Sequence, residues 1–258
     1  MNIIILLVTG LAAGILGAIL GLGGGVIMLP ALNIFFAYDA VMAVGTTLVA
    51  IVFTSLSASQ GHYRAGHVLF REALFMGAGG IAGVLIGSYV FAAYLSTNTD
   101  ILQGILGILF LFMTVRMGQQ SYSLWKNPQP EQAKEWKQTA PWWGFFLLGL
   151  VTGTLTGILG VGGGFIMVPA LMFFFGVVPH LAVGTTMTAM FPITLVGAII
   201  KWSQGFVCLI PGLLLGLGTA IGAQFGVLVS RHLSVLLMNI LFTLVFFLVA
   251  LDYLQVWF

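Results

Sequence analysis

Charge is scarce in this chain. Of its 258 residues, 5% are Asp, Glu, Lys or Arg and 60% are hydrophobic, whereas a soluble domain carries roughly 25% charged residues. A water-soluble globule is excluded, and the composition is that of an all-α polytopic membrane protein whose first partner is the lipid bilayer. Eight Lys and Arg set against six Asp and Glu are too few and too scattered for a nucleic-acid footprint, so nucleic acid is not an expected partner. Cys208 is the single cysteine; an internal disulfide, a thiol relay and a Cys-rich metal site are therefore excluded, and it reads as a small packing residue. The chain also lacks a Gly-x-Ser-x-Gly elbow, a His-Glu-x-x-His pair and paired buried aspartates. An intramembrane enzyme would have no nucleophile, metal site or acid–base pair, so neither catalysis, cofactor nor metal is expected. Asp39, Glu72, Asp100 and Asp252 all fall at segment ends, which leaves out the buried carboxylate relay of many proton-driven pumps. Were the chain a proton-coupled transporter, the proton would have to ride on the substrate or on His62.

Glycine is abundant instead, and it is placed unusually. Gly21-Leu22-Gly23-Gly24-Gly25 is followed by Val26-Ile27-Met28-Leu29-Pro30-Ala31-Leu32, and the pattern returns as Gly160-Val161-Gly162-Gly163-Gly164 followed by Phe165-Ile166-Met167-Val168-Pro169-Ala170-Leu171. Each glycine costs a helix interior about 1 kcal/mol relative to alanine, so both apolar runs are expected to break here. In hydrocarbon a break exposes N–H and C=O groups that lipid cannot satisfy, and it survives only where protein buries it or it lines a polar cavity. Helices restarting near Val26 and Phe165 would turn free N–H groups and positive dipole ends toward the gap, an arrangement that favours an anion.

The two stretches belong to a longer repeat. Gly14 maps to Gly153 (153 − 14 = 139), and the same shift takes Pro30 to Pro169, Ala43-Val44-Gly45-Thr46-Thr47 to Ala182-Val183-Gly184-Thr185-Thr186, Gly66 to Gly205 and Gly87 to Gly226. The protein is read as a tandem duplication, a common plan of secondary transporters. The N-terminal run Met1 to Leu7 resembles a signal peptide, but no basic residue precedes it and the segment 10–21 has its counterpart at 149–160. It is therefore expected to belong to the mature fold.

Apolar segments fall at about 3–20, 24–37, 40–58, 68–93 and 100–117, and again at about 142–159, 163–176, 179–198, 207–229 and 234–252. A full span needs about 20 residues, so 24–37 and 163–176 are expected to be half-helices, each in a hairpin that reverses at the glycines. The expected domains are a first membrane repeat over 1–117, a linker over 118–140 and a second membrane repeat over 141–258. Arg116, Lys126, Lys134 and Lys137 place that linker in the cytoplasm, and Arg64 and Arg71 do the same for the loop 60–71. In the second half the charges divide: inverted repeats put Arg231 inside and Lys201 outside, and parallel repeats exchange them. Inversion is preferred, because an apolar region broken by four glycines suits a hairpin and because it brings both breaks to one central site.

The doubled Gly-x-Gly-Gly-Gly with Pro-x-Leu, followed by Ala-Val-Gly-Thr-Thr, resembles the TauE/SafE family of membrane permeases, the sulfite and organosulfonate exporters. The likeness covers nearly the whole chain. It implies a multi-pass protein of the cell inner membrane that moves sulfite, a sulfonate or another small inorganic or organic anion, often outward. Family members often carry a serine after the Gly-Thr pair, where this chain has Thr47 and Thr186; the hydroxyl is kept.

The candidate substrate-binding residues are therefore Gly23, Gly24, Gly25, Gly162, Gly163 and Gly164, with Thr46, Thr47, Thr185 and Thr186. For the glycines the alternative is tight helix packing, and for the threonines it is capping or bonding back to the preceding turn. Gly77, Gly83, Gly87, Gly216, Gly222 and Gly226 read as packing. Lys201 aligns with His62, each at a segment end and followed by Trp202 or Tyr63. These two are either an electrostatic or gating pair for anions, or side chains snorkelling to the headgroups beside an aromatic belt. His67, His180 and His232 have no metal-ligand spacing and are expected as solvated loop residues. A channel-like pathway and a membrane scaffold or assembly factor are the rival functions, and a homo-oligomer stays open.

Overall fold

The computed structural model describes residues 3–96, 99–126, 141–230 and 235–255. They form α1 (Ile3–Leu20), α2 (Gly25–Phe36), α3 (Ala40–Arg64), α4 (Phe70–Val90), α5 (Thr99–Lys126), α6 (Trp142–Leu159), α7 (Gly164–Phe174), α8 (Pro179–Ser203), α9 (Leu209–Ser230) and α10 (Val235–Gln255), with a π turn over Phe91–Leu95 prolonging α4. Six helices, those beginning at Ile3, Ala40, Phe70, Trp142, Pro179 and Leu209, are long and apolar enough to cross a membrane. At 1.5 Å per residue the 12 residues of α2 and 11 of α7 reach about 18 and 16 Å, well short of a hydrocarbon core of about 30 Å.

The ends of the helices show why the two halves fold alike. α2 stops at Ala37, whose φ of 53° is left-handed, and Tyr38 N–H donates back to Leu32 C=O. The equivalent in the second half is Gly176, φ 66°, with Val177 N–H donating to Leu171 C=O. α3 and α8 close on Gly66 (φ 73°) and Gly205 (φ 80°), with His67 N–H donating to His62 C=O and Phe206 N–H to Lys201 C=O. Each pair lies 139 apart, so the same local hydrogen bonds recur through the chain. The helix starts differ. Asp39 caps α3 by accepting from Met42 N–H at 2.7 Å, whereas α8 uses Pro179 in its first turn.

Long-range packing crosses between the halves. α1 lies along α9, α6 along α4, and α3 sits against both α8 and α9; α5 and α10 pair with each other. Glycines set the closest seams. A Cβ on Gly149 or Gly153 would strike the backbone of Met76 or Gly80, and one on Gly83 or Gly87 the backbone of Leu150 or Thr154. On the other side Gly10 and Gly14 meet Leu215 and Thr219, and Gly222 and Gly226 meet Leu11 and Ile15. The packing role expected for Gly83, Gly87, Gly222 and Gly226 is the one observed. Large apolar side chains such as Leu74, Ile86, Tyr89, Leu217, Ile221 and Phe225 remain exposed on the outer faces, as a surface that meets lipid requires.

Three helix ends differ from the sequence expectation. α5 continues to Lys126, so the first residues of the polar stretch are helical; a helix leaving the bilayer needs no apolar face to persist. α3 and α8 extend to Arg64 and Ser203, past the apolar limits near 58 and 198, because polar residues at a span end face headgroups and water. Residues 127–140, Arg231 and His232 lie outside the described residues.

Gly153→Ala should push α6 off α4 and lower stability by about 1–3 kcal/mol. Gly118→Ala meets only Thr243 Cγ2, at 3.6 Å, and should be neutral or gain about 0.5–1 kcal/mol. Thermal unfolding of the purified protein in detergent reads both.

Candidate functional site

The two glycine stretches interrupt their helices as non-helical backbone. In the first, Gly21, Gly23 and Gly24 have φ of 74°, 73° and 81°; in the second, Gly160 and Gly162 have 66° and 82°, while Gly163 is right-handed at −72°. These left-handed positions strain any residue with a Cβ. α2 and α7 then begin at Gly25 and Gly164 with no side-chain cap, so backbone N–H groups and the positive ends of both dipoles face the breaks. Each short helix also contains a proline, Pro30 or Pro169, which removes one helical hydrogen bond and leaves the carbonyl of Val26 or Phe165 without its usual helical donor.

The breaks lie against each other. A Cβ on Gly25 would strike the Val161 carbonyl, one on Gly164 the Gly21 carbonyl, and one on Gly162 would sit 3.4 Å from the Leu22 carbonyl. All six candidate glycines are buried. Two repeat-equivalent side chains from the central helices close over them (190 − 51 = 139). Ile51 and Met190 would both meet a Cβ on Gly23, each at 2.8 Å, and Met190 would meet one on Gly162 at 2.7 Å. Apolar residues inside an apolar run carry no local signal, and only their repeat register could have singled these two out.

The threonines divide by position. Thr47 Oγ1 lies 2.9 Å from the Gly160 carbonyl and also within 3.0 Å of the Ala43 and Val44 carbonyls, so it ties α3 to the second break. Its equivalent Thr186 is fully buried and its hydroxyl has no hydrogen-bond partner among the described residues. Val183, three residues earlier on α8, lies against Gly21 as Val44 lies against Gly160, but Thr186 makes no counterpart of the Thr47–Gly160 hydrogen bond. Thr46 and Thr185 are spent elsewhere, accepting at 3.0 Å from Cys208 N–H and Leu69 N–H. They hold the connections after α8 and α3. Next to Cys208, burial and then the thiol itself raise the Tyr38 hydroxyl above the ordinary tyrosine value.

Three features escaped the sequence reading. Thr152 and Thr156 border Gly163, with Thr156 Oγ1 3.0 Å from a Cβ built there; the first half has Ala13 and Gly17 in these places, a difference visible in the aligned repeats. Ser55 and Thr194, also equivalent, bring their hydroxyls to 3.5 Å, and Ser59 and Thr188 to 2.9 Å, which makes a polar seam between α3 and α8. That seam leads toward His62, whose Nε2 lies 3.4 Å from the Ala18 carbonyl, and toward His67 and His180, whose rings stack at 5.4 Å. His67 and His180 are thus half-buried and packed together, not solvated loop residues, because the connection after α3 folds over the start of α8. Among the described residues no group of three His, Cys, Asp or Glu has a metal-binding arrangement. Lys201 does not snorkel: it is fully buried, with Nζ 3.1 Å from the centre of the Phe91 ring.

Comparison with known proteins adds an independent line. The family described as "Sulfite exporter TauE/SafE" matches residues 6–253. A probable membrane transporter protein of Bacillus subtilis, YunE, is 28% identical over 262 residues, covering 95% of this chain and 96% of its own length. Another from Methanocaldococcus jannaschii is 26% identical over 261 residues, 92% of this chain and 91% of its own. A third, ORF9 of Sinorhizobium sp, is 30% identical over 233 residues, 86% of this chain and 80% of its own. No solved structure matches the chain.

Thr47→Val should lower stability by about 1–3 kcal/mol, because the Gly160 carbonyl loses a buried donor, and Thr47→Ser should keep most of it. Thermal unfolding in detergent distinguishes them; equal melting of wild type and Thr47→Val would contradict the tie.

Proposed function

Because the chain belongs to the sulfite exporter TauE/SafE family, a family of multi-pass membrane transporters, we propose that it is a secondary transporter for a small oxyanion, sulfite or an organosulfonate, working by alternating access at the paired breaks. The observation that carries this reading is the mutual contact of the breaks, Gly25 at Val161 and Gly164 at Gly21, which turns two uncapped helix N-termini toward one place. Each dipole end is worth roughly half a positive charge, so two together suit a monoanion. Gly23, Gly24, Gly25, Gly162, Gly163 and Gly164 supply N–H groups and close approach, Thr47 and Thr186 are candidate hydroxyls, and Thr152 and Thr156 border Gly163. Ile51 and Met190 fill the space between, and a ligand enters only when they move aside. That closure favours a carrier over an open channel. Transfer of an anion with no covalent step needs no catalytic residue and no cofactor.

The same reading takes the repeats as inverted, over 1–117 and 141–258 with the linker 118–140 cytoplasmic in the inner membrane. Its support is the crosswise contact of α3 and α8: the start of α3 meets the end of α8 through Thr46 and Cys208, and the start of α8 meets the end of α3 through Thr185 and Leu69. An antiparallel α3 and α8 is the arrangement that inverted repeats call for. His62 and its neighbours then stand at the cytoplasmic end and Lys201 at the outer end.

Two measurements test this. Proteoliposomes containing the purified chain should show saturable sulfite or sulfonate flux with counterflow. Gly24→Leu, whose Cβ would lie 2.8 Å from the Ala13 carbonyl at a φ of 81°, should abolish most of that flux while still inserting; unchanged flux in Gly24→Leu would favour a scaffold role for the breaks. For topology, Tyr63→Cys and Trp202→Cys in a Cys208→Ala background place thiols at two exposed, repeat-equivalent positions. An impermeant thiol reagent added outside should label Trp202→Cys alone, and labelling of both from one side would make the repeats parallel.

A further inference from the structure

The second half carries a group of polar atoms that its own packing leaves unsatisfied. Lys201 and Gln204, one turn apart at the end of α8, face Ser88 and Phe91, one turn apart at the end of α4. Gln204 Nε2 donates to the Ser88 carbonyl at 3.3 Å and Lys201 Nζ rests on the Phe91 ring. Lys201 and Ser88 are fully buried, and Lys201 Nζ, Ser88 Oγ and Gln204 Oε1 have no hydrogen-bond partner among the described residues. An aromatic face returns only part of the hydration that a buried lysine head group loses. Native proteins rarely leave one such atom unpaired, and here three stand together.

The place is next to the second break. Ser88 N–H lies 2.7 Å from a Cβ built on Gly157, three residues before Gly160 on α6. The first half does not repeat the group: the equivalents of Lys201, Gln204, Ser88 and Phe91 are His62, Ala65, Val227 and Ser230. Backbone capping at the ends of α3 and α8 is the same in both halves, so packing alone does not call for the difference.

We propose that Lys201, Ser88 and Gln204 form a second ligand station beside the second break, and that it takes a singly protonated oxyanion. The anion's oxygens accept from Lys201 Nζ and Ser88 Oγ, while its acid O–H donates to Gln204 Oε1. This rests on the anion-transport reading only for the choice of ligand; the three unsatisfied atoms are independent of it.

The probe is selenite at near-neutral pH, where it carries one acid O–H, bound to the full chain in detergent and measured by equilibrium dialysis, with methanesulfonate as an anion lacking that proton. Lys201→Met should weaken selenite binding about tenfold or more and raise the melting temperature, since it removes a buried amine that has no partner; Lys201→Arg should retain most of the binding. Gln204→Leu should weaken selenite about tenfold and leave methanesulfonate unchanged. Selenite affinity unchanged in Lys201→Met, or a lowered melting temperature with unchanged affinity, overturns the station. An equal loss of both anions in Gln204→Leu overturns the proton-reading role of the amide. If the wild type moves no anion in proteoliposomes yet binds selenite in a Lys201-dependent way, the transport reading fails and the station stands. If flux persists and the Lys201 dependence is missing, the reverse holds.

Discussion

Backbone N–H and C=O groups inside a bilayer must be satisfied by the protein itself, and a helix broken by glycine violates that demand unless something shields the gap. In this chain each break is shielded chiefly by the other. The Gly21 and Val161 carbonyls lie where a side chain on Gly164 or Gly25 would have to go, so both interruptions depend on the same two residues having no Cβ. The remaining space is closed by Ile51 and Met190. Thr47 adds one tie, from α3 to Gly160. The crossed seams α1 with α9 and α6 with α4 then hold the broken helices in place from outside, and their glycines allow the backbone contact that compensates in a membrane for the missing hydrophobic drive.

The halves share a scaffold and diverge where ligand chemistry would act. The caps after α2, α3, α7 and α8 recur at the same offset, whereas Thr152 and Thr156 face one break where the other has Ala13 and Gly17. His62, packed near His67, answers to a Lys201 laid on an aromatic ring. A symmetric carrier would bind its ligand alike from both sides. These substitutions give the proposed pathway two unlike ends, one with imidazoles and the other with added hydroxyls and a lysine, which is a physical basis for a preferred direction.

Much of this architecture could be read from the residues alone. Glycine spacing located the breaks and the short helices, and a single gapless offset located the repeat, because both are periodic signals that survive without side-chain detail. The helix ends were misjudged where polar residues such as Gln60 and Gln119 continue a span beyond the apolar run. The Gly-Thr-Thr motif does not separate Thr47, which reaches Gly160, from Thr46, one residue earlier on the helix and turned toward Cys208. Ile51, Met190 and the partners of Lys201, Ser88 and Gln204, were not legible as a site, since their roles arise from contacts between residues distant in the sequence. Helical phase fixes a side chain's direction; only the packed structure says what stands there.

The proposed socket between the breaks is tested most directly by locating an anion in it. Crystals of the full chain soaked with selenite, a heavier analogue of sulfite, should show an anomalous selenium peak between residues 23–25 and 162–164, displacing Met190. A soak at concentrations that saturate flux, with selenium found only at the protein surface and none between the glycines, would contradict the account.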